Sequence, residues 1–205
     1  MIRLWGRINS ANVMKVLWLL DELGLAYERQ DAGLSFGVVD TAAYRALNPF
    51  GLVPVLQDEL TLFESNSILR HLCRVHAPDS PFYPLAEARR APIESWMDVQ
   101  LAETPPLGQV FVQLVRTPAE RRDHALMTQA LARCASTFAI LESVLAMRPY
   151  LAGDALSLAE FAWGPFLHRW FSLPLARPDA PALARLYHRL LERPAYRQHC
   201  AQPLS

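Results

Sequence analysis

The sequence predicts an α/β domain followed by an all-α domain, and three observations carry that prediction. Short strand-like runs alternate with helix-period segments over residues 1–76. A proline-bearing stretch without periodicity follows, Ala77 to Pro84. Beyond it the only recurring pattern is helical.

Each element can be justified in turn. Ile2-Arg3-Leu4-Trp5 is a strand candidate, and Val13 to Leu23 is helical, with Val13, Val16, Leu17 and Leu20 on one face. Tyr27 to Asp31 fits a second strand, and Tyr44 to Leu47 ends a short helix before Asn48-Pro49. Val53 to Leu56 and Leu60 to Phe63 form a hairpin across Asp58-Glu59. A third helix turns Ile68, Leu69, Leu72 and Cys73 inward, so the order is βαβαββα. The linker is set at residues 77–86 and the helical domain at 87–205. Two long helices are expected there, Glu87 to Val115 and Glu120 to Arg148. In the second, Met127, Leu131, Cys134, Phe138, Leu141 and Leu145 step by four and three, as in helices packed lengthwise. Ser157-Leu158-Ala159-Glu160 reads as a capping box. The segment Phe161 to Phe171 is apolar nearly all round and belongs at the centre of its domain, with Pro165 at a kink or a boundary.

Composition narrows the function. Net charge is zero, with 52% apolar and 20% charged residues. No basic stripe interleaved with aromatics appears, which argues against nucleic acid or an anionic membrane as partner. The N-terminus lacks a signal peptide's regions and no apolar run approaches membrane-spanning length, so the expected location is the cytoplasm. Cys73, Cys134 and Cys200 lie far apart; they indicate neither a disulfide framework nor a metal site and read as packing residues. Of twenty basic residues only Lys15 is a lysine, read as coding bias of a GC-rich bacterial genome.

Three features of the first domain can carry chemistry, each with a plainer alternative. Ser10 and Asn12 stand where the first strand passes into the first helix. They either cap the helix or place a hydroxyl and an amide at its positive end, where a bound anion is stabilised. Pro54 interrupts strand-forming valines: it is a trans proline at a strand start, or a cis Val53–Pro54 bond that frees the Val53 backbone to pair with an extended peptide. Glu64-Ser65 precedes the third helix, with Ser65 as its cap or as the anchor of a carboxylate ligand, and Glu64 placed to receive an ammonium.

Taken together, the segments Gly6 to Val13, Asn48 to Leu56 and Phe63 to Leu69 resemble the motifs of cytosolic glutathione transferases, in the family's order and spacing. Gly153 to Glu160 resembles the family's capped helix, and Leu167-His168-Arg169-Trp170 and Glu192 to Tyr196 resemble bacterial members with a Ser-x-Asn start. The resemblance covers essentially the whole chain. It implies a thioredoxin-like glutathione-binding domain (1–76), a helical domain carrying the electrophile pocket, and a homodimer. It also implies that Ser10 donates to the glutathione thiolate, with Asn12 as partner or substitute, and that Val53 pairs through its backbone before a cis Pro54. Glu64 and Ser65 would hold the γ-glutamyl end. Ile8, Pro106, Val110 and Trp163 are candidates for the electrophile pocket, and no metal is called for. A free thiol ionises near pH ~8.5, and lowering that by two pH units takes roughly 2.7 kcal/mol, the size of one charge-assisted hydrogen bond plus a helix dipole.

The sequence departs from the family at Leu52, where many relatives carry a basic or amide residue, at Phe50, where close relatives often have Asn, and at Glu160, which replaces Asp in the cap. Other readings are glutathione-dependent reduction of disulfides or peroxides, and a non-catalytic binding protein. Across the dimer interface, Arg70 and Arg74 are expected to meet Glu94, Asp98 and Glu103 of the other subunit.

Overall fold

Strand β1 (Ile2–Trp5) lies inside a four-stranded sheet, with order β2–β1–β3–β4, in a computed structural model that describes residues 1–205. β2 (Tyr27–Gln30) runs parallel to it with Ile2 opposite Tyr27, and helix α1 (Ala11–Glu22) makes the crossover that a parallel pair requires. β3 (Val55–Gln57) and β4 (Thr61–Phe63) are antiparallel, with Leu4 opposite Leu56 and Leu56 opposite Leu62. Helix α2 (Ala42–Leu47) precedes β3, and α3 (Ser65–His71) follows β4, which completes the expected thioredoxin-like βαβαββα order. β3 begins at Val55 and not at the expected Val53, because Pro54 has no N–H to give a ladder. After His71 the third helix continues as a wider-wound turn, Leu72–His76. That winding brings His71 and His76 to one carboxylate oxygen, Asp58 Oδ2, at 2.7 Å each.

The second half is wholly helical. α4 (Glu87–Glu103) stops at Thr104 and α5 (Pro105–Phe111) starts afresh, ending in a wider turn at Val112–Arg116. The single helix expected over residues 87–115 is therefore two. Pro105 and Pro106 offer no N–H and are tolerated only in a first turn, so a helix begins at them. α6 (His124–Met147) starts four residues later than expected, where the Asp123 carboxylate accepts the Leu126 amide at 2.9 Å. It is long and apolar enough by length and composition to cross a membrane, contrary to the expectation for this chain; here it packs along α5 and α8 (Pro181–Leu191), with Phe138 stacked on Trp170 at 4.2 Å. α9 (Pro194–His199) ends the chain's helices.

α7 (Leu158–Ser172) is buried along nearly its whole length, and Pro165 sits inside it, not at a boundary. The capping box is present: Ser157 Oγ accepts the Ala159 amide at 3.3 Å, and Glu160 accepts from Ser157 N at 2.9 Å and Leu151 N at 2.7 Å. Burial works against the Glu160 charge and pushes its pKa up to about 7, although those amides oppose it.

α1 joins the two halves. Its residues are buried on almost every side because α7 and α9 cover the face the sheet does not. Trp18 lies 4.1 Å from the Phe161 ring and 4.9 Å from that of Tyr196. Gly164 faces this cluster, and a Cβ there would stand 2.7 Å from Trp18 and 3.0 Å from Tyr196. Charges expected to pair between subunits pair within one: Arg70 reaches Asp98 at 3.0 Å and Arg74 reaches Glu94 at 3.5 Å, while Glu103 accepts from Thr137. The two arginine pairs tie the third helix and the turn after it to α4.

Candidate functional site

The loop from β1 to α1 is held tightly. Gly6 takes φ +150°, and a Cβ there would stand 2.4 Å from Val13. The chain then enters α1 with Ser10 at the capping position, in the extended conformation such a residue adopts. Its hydroxyl makes no capping hydrogen bond. Although the residue is only 7% exposed, it lines a cleft of about 520 Å³ between the two halves of the molecule. The helix amides and the positive end of α1 point the same way. Asn12 also lines the cleft, and its Oδ1 accepts from Ser65 Oγ at 3.3 Å.

That bond joins the first half of the site to the second. The Val53–Pro54 peptide is cis, and strand pairing begins only at Val55, so the Val53 backbone stays outside the ladder. Glu64 holds φ +69°, a conformation costly for a residue with a side chain and typical of positions kept for function. It is exposed at the start of α3, while Ser65 beside it is buried. The structure thus brings Ser10, Asn12, Glu64 and Ser65 to adjoining helix N-termini, with Val53 and Pro54 on the turn that leads into β3.

Behind Ser65 lies a residue that the sequence reading set aside. Lys15 is completely buried, yet its ammonium reaches Gln100 Oε1 at 2.6 Å, Ser65 Oγ at 3.3 Å and Asn66 Oδ1 at 3.4 Å, with the Phe166 ring 5.3 Å away. Burial pushes its pKa down to about 7; the Glu64 carboxylate works against that and Arg169 adds to it. The available signal was that the chain uses arginine everywhere else and keeps one lysine, on a helix face otherwise filled by Val, Leu and Trp.

The cleft's far wall is α5 with its wider turn. Pro105, Gly108, Gln109, Val112, Gln113 and Arg116 face the opening. The four pocket candidates do not. Pro106 and Val110 lie on the opposite face of α5 in the core, and Trp163 is fully buried with its indole N–H on the Trp96 carbonyl at 2.9 Å. Ile8 is 61% exposed on the loop and is not part of the cleft wall. On α5 and its wider turn the core takes Pro106, Leu107 and Val110, while Gly108 and Gln109 are left on the cleft side with Phe111 and Val112. Three arginines complete that wall: Arg7 from the loop, Arg116 and Arg169 of α7.

Three cysteines are present and all are buried as free thiols; burial pushes Cys73 up to about 12 and Cys134 up to about 11, so neither is a ready nucleophile. The one grouping with metal-ligand chemistry is Asp58, His71 and His76, whose ligand atoms lie within 4.8 Å of one another. It sits at the other end of β3 and α3 from the cleft. Burial raises the Asp58 carboxyl, but the Leu60 amide and the two imidazoles outweigh it and hold the group well below the usual carboxylate range.

Comparison with known proteins agrees with this geometry. Residues 9–75 match the family model of the glutathione S-transferase N-terminal domain, and residues 104–194 match that of the C-terminal domain. The chain is 41% identical to glutathione S-transferase GstB of Escherichia coli over 215 aligned residues, covering all of both. It is 33% identical to glutathione S-transferase 4 of Zea mays over 171 residues, which spans 82% of this chain and 76% of the maize protein. Among solved structures, it superposes on the theta class enzyme of Xanthomonas axonopodis pv. citri with glutathione bound, at TM-score 0.95 and 42% identity, over 100% of this chain and 99% of the other. With the fold, the paired helix N-termini and both halves matched in order, the chain belongs to the glutathione S-transferase family.

Proposed function

We propose that this protein binds glutathione as a thiolate and transfers it to an electrophilic small molecule. The observation that carries the reading is the Ser10 hydroxyl, which has no partner in the protein and opens on the cleft at the positive end of α1. A thiolate there gains a charge-assisted hydrogen bond and the helix dipole, so the site needs no general base. Asn12 is the second candidate donor, in keeping with a bacterial Ser-x-Asn start.

In this reading residues 1–76 hold glutathione and residues 87–205 the second substrate. The cysteinyl part lies along the Val53 backbone beside the cis Pro54. Its γ-glutamyl end meets Glu64 through the ammonium and Ser65 through the carboxylate, with Lys15 adding positive charge behind Ser65. No metal takes part. The working unit is a cytoplasmic homodimer, and the exposed Phe50, Leu52 and Leu60 of the first half offer apolar area for the contact.

The test is titration of the bound thiol by its thiolate absorbance. A thiol pKa at least one pH unit below that of free glutathione supports the reading. An unshifted value, or no binding by calorimetry, sinks it. Light scattering should give twice the chain mass of 23.1 kDa.

A further inference from the structure

The cleft beside Ser10 is lined by three arginines and by no Asp or Glu. Elsewhere most half-buried arginines find an acceptor: carboxylates for Arg29, Arg70, Arg90 and Arg193, and backbone carbonyls for Arg122, Arg177 and Arg189. In the cleft Arg169 and Arg7 do not. Arg169 is the one buried arginine, 9% exposed, and forms neither a hydrogen bond nor an ion pair. Its guanidinium lies over the Phe111 ring at 4.0 Å and 5.9 Å from that of Phe166. Arg7 is half-buried, its Nε has no partner, and no carboxylate lies within reach. Arg116 lies 4.9 Å from the same Phe111 ring and gives one N–H to a terminal oxygen of Ser205 at 2.8 Å, so it is the one cleft arginine with an anionic partner.

The three guanidiniums also disfavour one another. Burial first, and then the charges of Arg116 and Arg7, lower the Arg169 pKa to about 10. A desolvated cation without a counter-charge is costly, and a ligand anion relieves that cost. Guanidinium is the side chain suited to a planar, two-oxygen acceptor. Phe111 and Phe166 supply flat apolar area alongside it.

We infer that the second substrate is an anion: an aryl or short-chain carboxylate whose carboxylate is held by Arg169 and Arg7 while its electrophilic carbon faces the thiolate at Ser10. This rests on the reading of the site as a glutathione transferase. With a halogenated aryl carboxylate, the thiolate sulfur forms a bond to the ring carbon, the carbon–chlorine bond breaks and chloride leaves. The proton lost when the thiol ionised has already gone to solvent.

The experiment compares a carboxylate with its neutral amide twin. Calorimetry on the whole protein, with S-methylglutathione filling the thiol site, would titrate unreactive 3,5-dinitrobenzoate and 3,5-dinitrobenzamide. The benzoate should bind at least tenfold more tightly, and both Arg169→Met and Arg7→Met should bring that ratio towards one; Arg7, on a loop, is the variant whose folding is least at risk. Turnover of 4-chloro-3,5-dinitrobenzoate and its amide, each divided by its uncatalysed rate with glutathione, should show the same preference. Equal affinities in the wild type, no benzoate binding, or a ratio unmoved in both variants would overturn the inference. S-Methylglutathione titrated alone reports separately on the glutathione reading, so the two can fail independently.

Discussion

Two serines in this chain hold the same position at the start of a helix and behave in opposite ways. Ser157 begins α7 with its hydroxyl on the Ala159 amide, and Glu160 returns to the Ser157 amide. Ser10 begins α1 with a similarly extended backbone and leaves its hydroxyl unused. Away from the cleft, Thr41 and Asp123 cap α2 and α6 through their side chains. The Ser10 hydroxyl, beside a cavity and without a cap to make, is free to meet the ligand of the proposed function. On the proposed function, the difference separates structure at one helix from function at the other.

That contrast can be broken or sharpened by four measurements. The largest effect is expected at Glu160. Its folded pKa of about 7 lies above the unfolded value of ~4.3, so its contribution to stability is full below pH ~4.3 and is lost as pH rises through about 7. The stability advantage of wild type over Glu160→Gln should shrink by about 3 kcal/mol between pH 4 and pH 8 in denaturant titrations. A flat difference would mean that the folded pKa is not raised above the unfolded one.

Next is Ser10→Ala, which should raise the pKa of bound glutathione by about one to two pH units, ~1.4 to 2.7 kcal/mol, and slow turnover at neutral pH at least tenfold. An unchanged thiol pKa would move the role to Asn12 or the helix amides. Ser157→Ala should cost about 1 kcal/mol of folding stability, the usual worth of a made cap. The smallest effect is the stability change of Ser10→Ala, within about 0.5 kcal/mol, because no hydrogen bond is lost. If the two serine variants lost stability equally, Ser10 would be an ordinary cap.

The architecture was legible because its signals are local. Alternating runs, the linker prolines and the Ser157–Glu160 cap each lie within a few residues, and so do the pairs Ser10–Asn12 and Glu64–Ser65. The break at Thr104 is readable too, from Pro105-Pro106, which a helix tolerates only in its first turn. What escaped depends on separations in sequence that no local pattern carries. Lys15 becomes a site residue only because Ser65, Asn66 and Gln100, 50 to 85 positions away, converge on it. Arg7 and Arg169 meet only once α7 lies along α1. The pocket candidates lie off the cleft wall for a related reason: apolar residues beside a cleft are those the core takes first, as Pro106, Val110 and Trp163 show.

Gly164 decides how the cleft can be entered. The clearance there is less than one methyl group, with Trp18 on one side and Tyr196, whose hydroxyl donates to the Gly164 carbonyl at 2.8 Å, on the other. So close a contact leaves the two halves no room to slide past one another at this point. They should melt as one cooperative unit, in a single calorimetric transition, and the mouth of the cleft has a fixed gauge. On the proposed function, selection among electrophiles would work as a sieve does, by what already fits, and not as a hand does, by closing on what it finds.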